Sequence, residues 1–116
     1  MNEDLPLLYK DFITYEEWLR AMKGLLSMDQ ILIHRYKELY LSKGIEEKKR
    51  SEYHELILGY AKNVVQNLIL IEAAEIENDL MVFYMEDGQP STASVTENEK
   101  KILDQKMRET KELYGR

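Results

Sequence analysis

Residues 46–77 read EEKKRSEYHELILGYAKNVVQNLILIEAAEIE, with no proline and a single glycine, Gly59. Within the stretch, Tyr53, Ile57, Tyr60, Val64, Leu68 and Ile71 recur at steps of four, three, four, four and three. Leu56, Ala61, Val65 and Ile69 thicken the same stripe. This spacing is close to the heptad seam of helices that pack lengthwise. It predicts one long central helix, about 48 Å from end to end, in an all-α fold with three to four helices in a bundle. A single domain of this size has a radius of gyration of about 13 Å, so short helices of the same chain cannot cover the whole stripe. Either the helix breaks between Gly59 and Asn67 or a second subunit covers part of it. The cost of exposing an apolar patch favours the second, and a homodimer is expected.

Upstream, Thr14 followed three residues later by Glu17 has the form of a capping box, in which each residue satisfies the other's backbone amide. Tyr15, Trp18, Leu19, Met22, Leu25 and Leu26 then keep helical spacing. Ser27 with Gln30, or Asp29 alone, offers a second cap, so a separate helix is expected from about Met28 to Ser42, ended by Gly44. Leu5, Leu7, Leu8, Phe12 and Ile13 form an apolar cluster expected to pack on the body or on a neighbour.

Downstream, residues 80–85 read equally as a short strand or as the last turns of the long helix. Asp87-Gly88 is a turn signal, which leaves room for a small β-hairpin near 81–95, and residues 87–95 are expected to be a loop or linker. Thr96 and Glu99 repeat the capping box. They open an amphipathic helix through Ile102, Leu103, Met107, Thr110 and Tyr114, with a basic outer face. The expected organisation is a helical core over 1–86, the linker, and a helical arm over 96–116 that packs across the acidic third segment of its own or a neighbouring chain.

The net charge of −6 is unevenly spread. Residues 63–99 carry eight acids and no base, whereas 31–62 are net +2 and 100–116 net +3. Such asymmetry steers partners or matches segments within an oligomer. With no cysteine and two histidines, His34 and His54, disulfide and thiolate chemistry are excluded and a zinc site is poorly supplied. The start, Met-Asn-Glu-Asp-Leu-Pro, lacks the form of a signal peptide, and the longest uncharged run, Asn63 to Ile71, is short for a bilayer. A cytoplasmic location is expected.

Three functional readings are open to these residues. Glu52-x-x-Glu55 and Glu72-x-x-Glu75 each place two carboxylates on one helix face, where they could hold Mg²⁺ through oxygen. The arrangement is similar to the E-x-x-E, spacer, E-x-x-D pattern of the all-α nucleotide pyrophosphohydrolases, which include MazG-like proteins and dimeric dUTPases. The resemblance would imply a Mg²⁺-dependent pyrophosphohydrolase. Here Glu75 stands in place of the Asp, and the sixteen residues between the pairs form helix where that fold needs two helices meeting.

The second is nucleic-acid binding by the basic region 35–50, from Arg35 and Lys37 to Lys48, Lys49 and Arg50. Helix one, a turn at Ser27 and helix two would serve as a helix-turn-helix. Ile31, Leu32, Ile33 and Tyr36 then occupy the positions where polar base-reading side chains are needed.

The third, and preferred, reading is a non-enzymatic regulatory, accessory or inhibitor-type protein that acts by protein–protein contact, of the small acidic kind common in bacteria and their phages. Trp18, Tyr36, Tyr40, Tyr53 and Tyr60 are the expected anchors, because large amphipathic rings dominate interface energetics. Glu72, Glu75, Glu77 and Asp79 form an acidic patch that would set partner choice. No catalytic residue, metal ligand set or cofactor is expected.

Overall fold

The computed structural model describes residues 9–114, and the side chains of 9–110. Leu5, Leu7, Leu8 and Gly115 lie outside that range. The element order is β1 (Asp11–Phe12), α1 (Tyr15–Leu41), α2 (Glu47–Glu77), a 3₁₀ turn (Asn78–Leu80), β2 (Met81–Glu86), β3 (Gln89–Ser94) and α3 (Glu97–Tyr114). The fold is mostly helical, with a small antiparallel sheet of order β1-β2-β3. The chain divides into two compact units, Met1–Arg20 with Ala73–Arg116, and Ala21–Glu72.

Both capping boxes form. Glu17 N–H donates to Thr14 Oγ1 at 3.0 Å, and Thr14 N–H donates to Glu17 Oε1 at 2.9 Å. At α3 the corresponding bonds between Thr96 and Glu99 are 3.1 and 2.9 Å. Ionised Glu17 is the better acceptor, so the Thr14 amide and hydroxyl hold its carboxyl below the usual carboxylate range.

The two helices expected on either side of Ser27 are one. α1 runs unbroken for 27 residues. A cap residue ends a helix only if the chain turns there, and between Leu25 and Tyr36 there is neither proline nor glycine to turn it. The inward stripe continues instead through Leu25, Asp29, Leu32 and Tyr36, all half-buried. α1 stops before Gly44, whose φ of +79° is the left-handed conformation that favours glycine. α2 does not break at Gly59 or at the asparagines; it runs 31 residues.

In the first unit, β2 is buried on both faces. Its alternating side chains explain why. Val82 and Tyr84 point one way, into a core with Val95 and Leu103, against which Phe12 and Ala93 pack. Phe83 points the other way, onto Trp18 (ring centroids 4.9 Å apart) and Tyr15 (5.3 Å). Residues 87–95, expected as a linker, are the turn and edge strand of the hairpin. Asp87 and Gly88 both have positive φ, +53° and +76°, as a two-residue hairpin turn requires, and β3 pairs with β2 from Glu86↔Gln89 to Met81↔Ser94. The C-terminal arm closes over this sheet: Leu103 is fully enclosed, and Lys100 Nζ donates to the Met81 carbonyl at 2.7 Å.

Candidate interaction surface

The second unit consists of the later part of α1, a short connection and most of α2. Aromatic rings hold the two helices together near the connection. Tyr36 stacks on Tyr60 with centroids 6.0 Å apart and planes at 10°, and lies 5.8 Å from Tyr53. Tyr40 sits 5.9 Å from His54, and the Arg50 guanidinium lies over the Tyr40 ring at 5.6 Å. Arg50 Nε is shielded from solvent, and Glu47 Oε1 at 3.7 Å gives it an ionic neighbour rather than a hydrogen bond.

Burial along α2 follows a heptad. Arg50, Tyr53, Ile57, Tyr60, Val64, Asn67 and Ile71 are half-buried, at alternating steps of three and four. Asn67 therefore takes the inward place that the apolar pattern alone gives to Leu68, and Leu68 is 50% exposed. One heptad from the stacked pair Tyr36–Tyr60, along antiparallel helices, lie Asp29 and Asn67, so the seam includes a polar layer.

What the seam leaves outside is the main feature of this unit. Met28, Ile31, Leu58, Val65, Leu68 and Ile69 are each at least half exposed. The Tyr40–His54 contact identifies one flank of the hairpin. One heptad back from Tyr40 is Ile33 and two back is Leu26; one heptad on from His54 is Ala61 and two on is Leu68. Leu58, Val65 and Ile69 border that same flank by helical spacing. The flank is aliphatic for several turns, and α2 carries no charge between Lys62 and Glu72.

The residues singled out by sequence fall into three groups. Trp18 is fully enclosed in the first unit and packs on Phe83 and Tyr15. Tyr36, Tyr40, Tyr53 and Tyr60 are half-buried and spend their rings on the contacts within the hairpin. Glu72, Glu75, Glu77 and Asp79 are exposed. The aliphatic flank was read in the sequence as a thickening of the seam. Holding the seam to strict steps of three and four, and accepting Asn67 within it, would have separated the two.

The two carboxylate pairs lie on one unbroken helix, so Glu55 and Glu72 are about 26 Å apart along it and cannot share an ion within one chain. Among the described residues, no three His, Cys, Asp or Glu side chains are grouped to hold a metal. The continuity of α1 likewise removes the turn that a helix-turn-helix at Ser27 requires. No helix among the described residues is long and apolar enough to cross a membrane.

The first unit holds an open cavity of about 890 Å³, lined by Lys10, Phe12, Tyr15, Phe83, Lys100 and Met107 among others, with Tyr9, the first described residue, at its rim. Lys10 is paired with Glu86 at 2.6 Å, which raises its pKa. Lys100 is committed to the Met81 carbonyl. Compared with known protein families, curated proteins and solved structures, the chain matches none.

Proposed function

We propose that the chain is a non-enzymatic regulatory or accessory protein that acts by protein–protein contact, as a homodimer, through the hairpin of its second unit. The observation that carries this reading is the exposure of Leu58, Val65, Leu68 and Ile69 along one flank of α2, which has no charge between Lys62 and Glu72. Covering the exposed half of such a side chain is worth about 1 kcal/mol. A face of this size therefore supplies several kcal/mol toward association before the entropy of joining is subtracted. Exposed apolar patches of this extent on small proteins mark contact sites.

The anchors of the contact are the aliphatic side chains, and the tyrosines serve it indirectly by fixing the two helices. The acidic end of α2 sets orientation and association rate more than affinity.

Light scattering on the purified protein tests the reading. The expected mass is twice the 13.8 kDa of one chain, falling to one chain's mass in Ile69→Glu while helicity is kept. A mass that Ile69→Glu and Val65→Glu both leave unchanged would remove this face from the account.

A further inference from the structure

We infer that the occupant of this face is a second copy of the chain, laid antiparallel, with α2 crossing its own mate between Val65 and Ile69. The inference rests on the contact reading above and specifies its geometry.

Charge along α2 carries the argument. From Asn63 onward the helix has acids only, Glu72, Glu75 and Glu77, whereas its first half mixes Glu47, Glu52 and Glu55 with Lys48, Lys49, Arg50 and Lys62. A parallel pair would set each acidic end beside its own duplicate, and like charges held close together repel. Turning one copy end for end about residue 67 moves each acidic end away from its duplicate and sets Glu72 opposite the mate's Lys62. The uncharged run from Asn63 to Ile71 is then superposed on itself, which is what a two-fold interface demands, since each copy presents the same patch. Val65 and Ile69, 56% and 60% exposed, stand within that run on the aliphatic flank. Leu58, at 50%, lies two turns away toward the mixed-charge end. A protein partner of different sequence would meet a surface with no charge to read at its centre. The chain itself carries a matching uncharged surface of the same length, with acids alone at one end and mixed charge at the other.

The absence of cysteine makes the geometry directly measurable, because any introduced thiol is the only one in the chain. Three variants are compared under mild oxidation: Val65→Cys, Ile69→Cys and Leu58→Cys. A disulfide needs Cα atoms within about 7 Å. Near the crossing, Val65→Cys or Ile69→Cys therefore links to its own mate and runs as a covalent dimer. Leu58 and its mate are about 27 Å apart in the antiparallel arrangement, so Leu58→Cys stays unlinked alone. Mixed with Ile76→Cys, it forms the heterologous link. Self-linking of Leu58→Cys as readily as Val65→Cys overturns the antiparallel order while leaving the contact face standing. A dimer that links at neither Val65 nor Ile69 overturns the crossing point. A monomer at every concentration overturns the second copy as occupant, and Ile69→Glu separately reports whether the face matters at all.

Discussion

Leu103 and Ile69 are side chains of equal size on amphipathic helices of one small protein, yet Leu103 is fully enclosed and Ile69 is 60% exposed. The first unit surrounds its apolar residues with a strand buried on both faces, a helix start on one side and α3 on the other. The second unit has two helices and no third layer. Two helices share one seam, so any apolar residue beyond the seam positions has nothing of its own unit to lie against. One half of the chain is finished by its own residues. The other is a half-built core, and under the reading proposed above a partner supplies the missing layer.

The contrast can be broken most decisively from the finished side. Leu103→Ala should cost about 3 kcal/mol, since it leaves a cavity in an enclosed core, and denaturant unfolding should show the loss at any protein concentration. Ile69→Ala, by contrast, should cost about 1 kcal/mol or less, and only at concentrations where the association proposed above is populated. Melting temperature measured across a dilution series separates the two. An Ile69→Ala penalty equal to that of Leu103→Ala in dilute solution would contradict the division.

The seam can be sharpened as well. Asn67 sits half-buried in an inward heptad position one step from the tyrosine stack. Asn67→Leu should raise stability by about 1 kcal/mol, as a polar side chain in a seam gives up packing for register. It should also loosen the register between the two helices, and amide hydrogen exchange that stays unchanged across the hairpin would argue against a register role.

A smaller effect belongs to the start of α1. Thr14→Ala should cost about 1 kcal/mol through loss of the cap, seen as a lower melting temperature whatever the state of the hairpin.

The smallest effect is titratable. The Glu17 carboxyl is held below its usual range by the Thr14 amide and hydroxyl, so its stabilisation is present above the unfolded-state value and is lost as pH falls through the folded one. The melting temperature should therefore drop less steeply in Glu17→Gln than in the parent between about pH 5 and about pH 3. Equal slopes would show the carboxylate to be idle.

The parts of the fold legible in the sequence were those fixed by neighbours a few residues apart. Thr14 and Thr96 with their glutamates, Gly44, and Asp87-Gly88 all act within one turn of backbone, and each forms as its residues require. The long helix was legible because its period outlasts any local ambiguity. β3 was not, because Gln-Pro-Ser-Thr-Ala-Ser has no apolar alternation and becomes a strand through its pairing with β2. Nor was the continuity of α1, since Ser27 and Asp29 are good caps that the packing leaves unused. For the candidate surface, the apolar content of α2 could be read directly, but its division into an inner and an outer side turned on Asn67, which a search for greasy positions passes over. Trp18 drew notice for its size and proved to be interior.

The outer rim of the sheet has a consequence for how this protein can assemble. β3 is the last strand of its sheet, and Pro90 stands opposite Met85, one pair in from the turn. At that place a main-chain nitrogen faces away from β2, and proline leaves it without a hydrogen to offer. β1, at the opposite rim, is two residues long. Neither rim offers the long ladder that would template a fourth strand from another molecule. Crowding should therefore not extend this chain into fibres through the rims of its sheet.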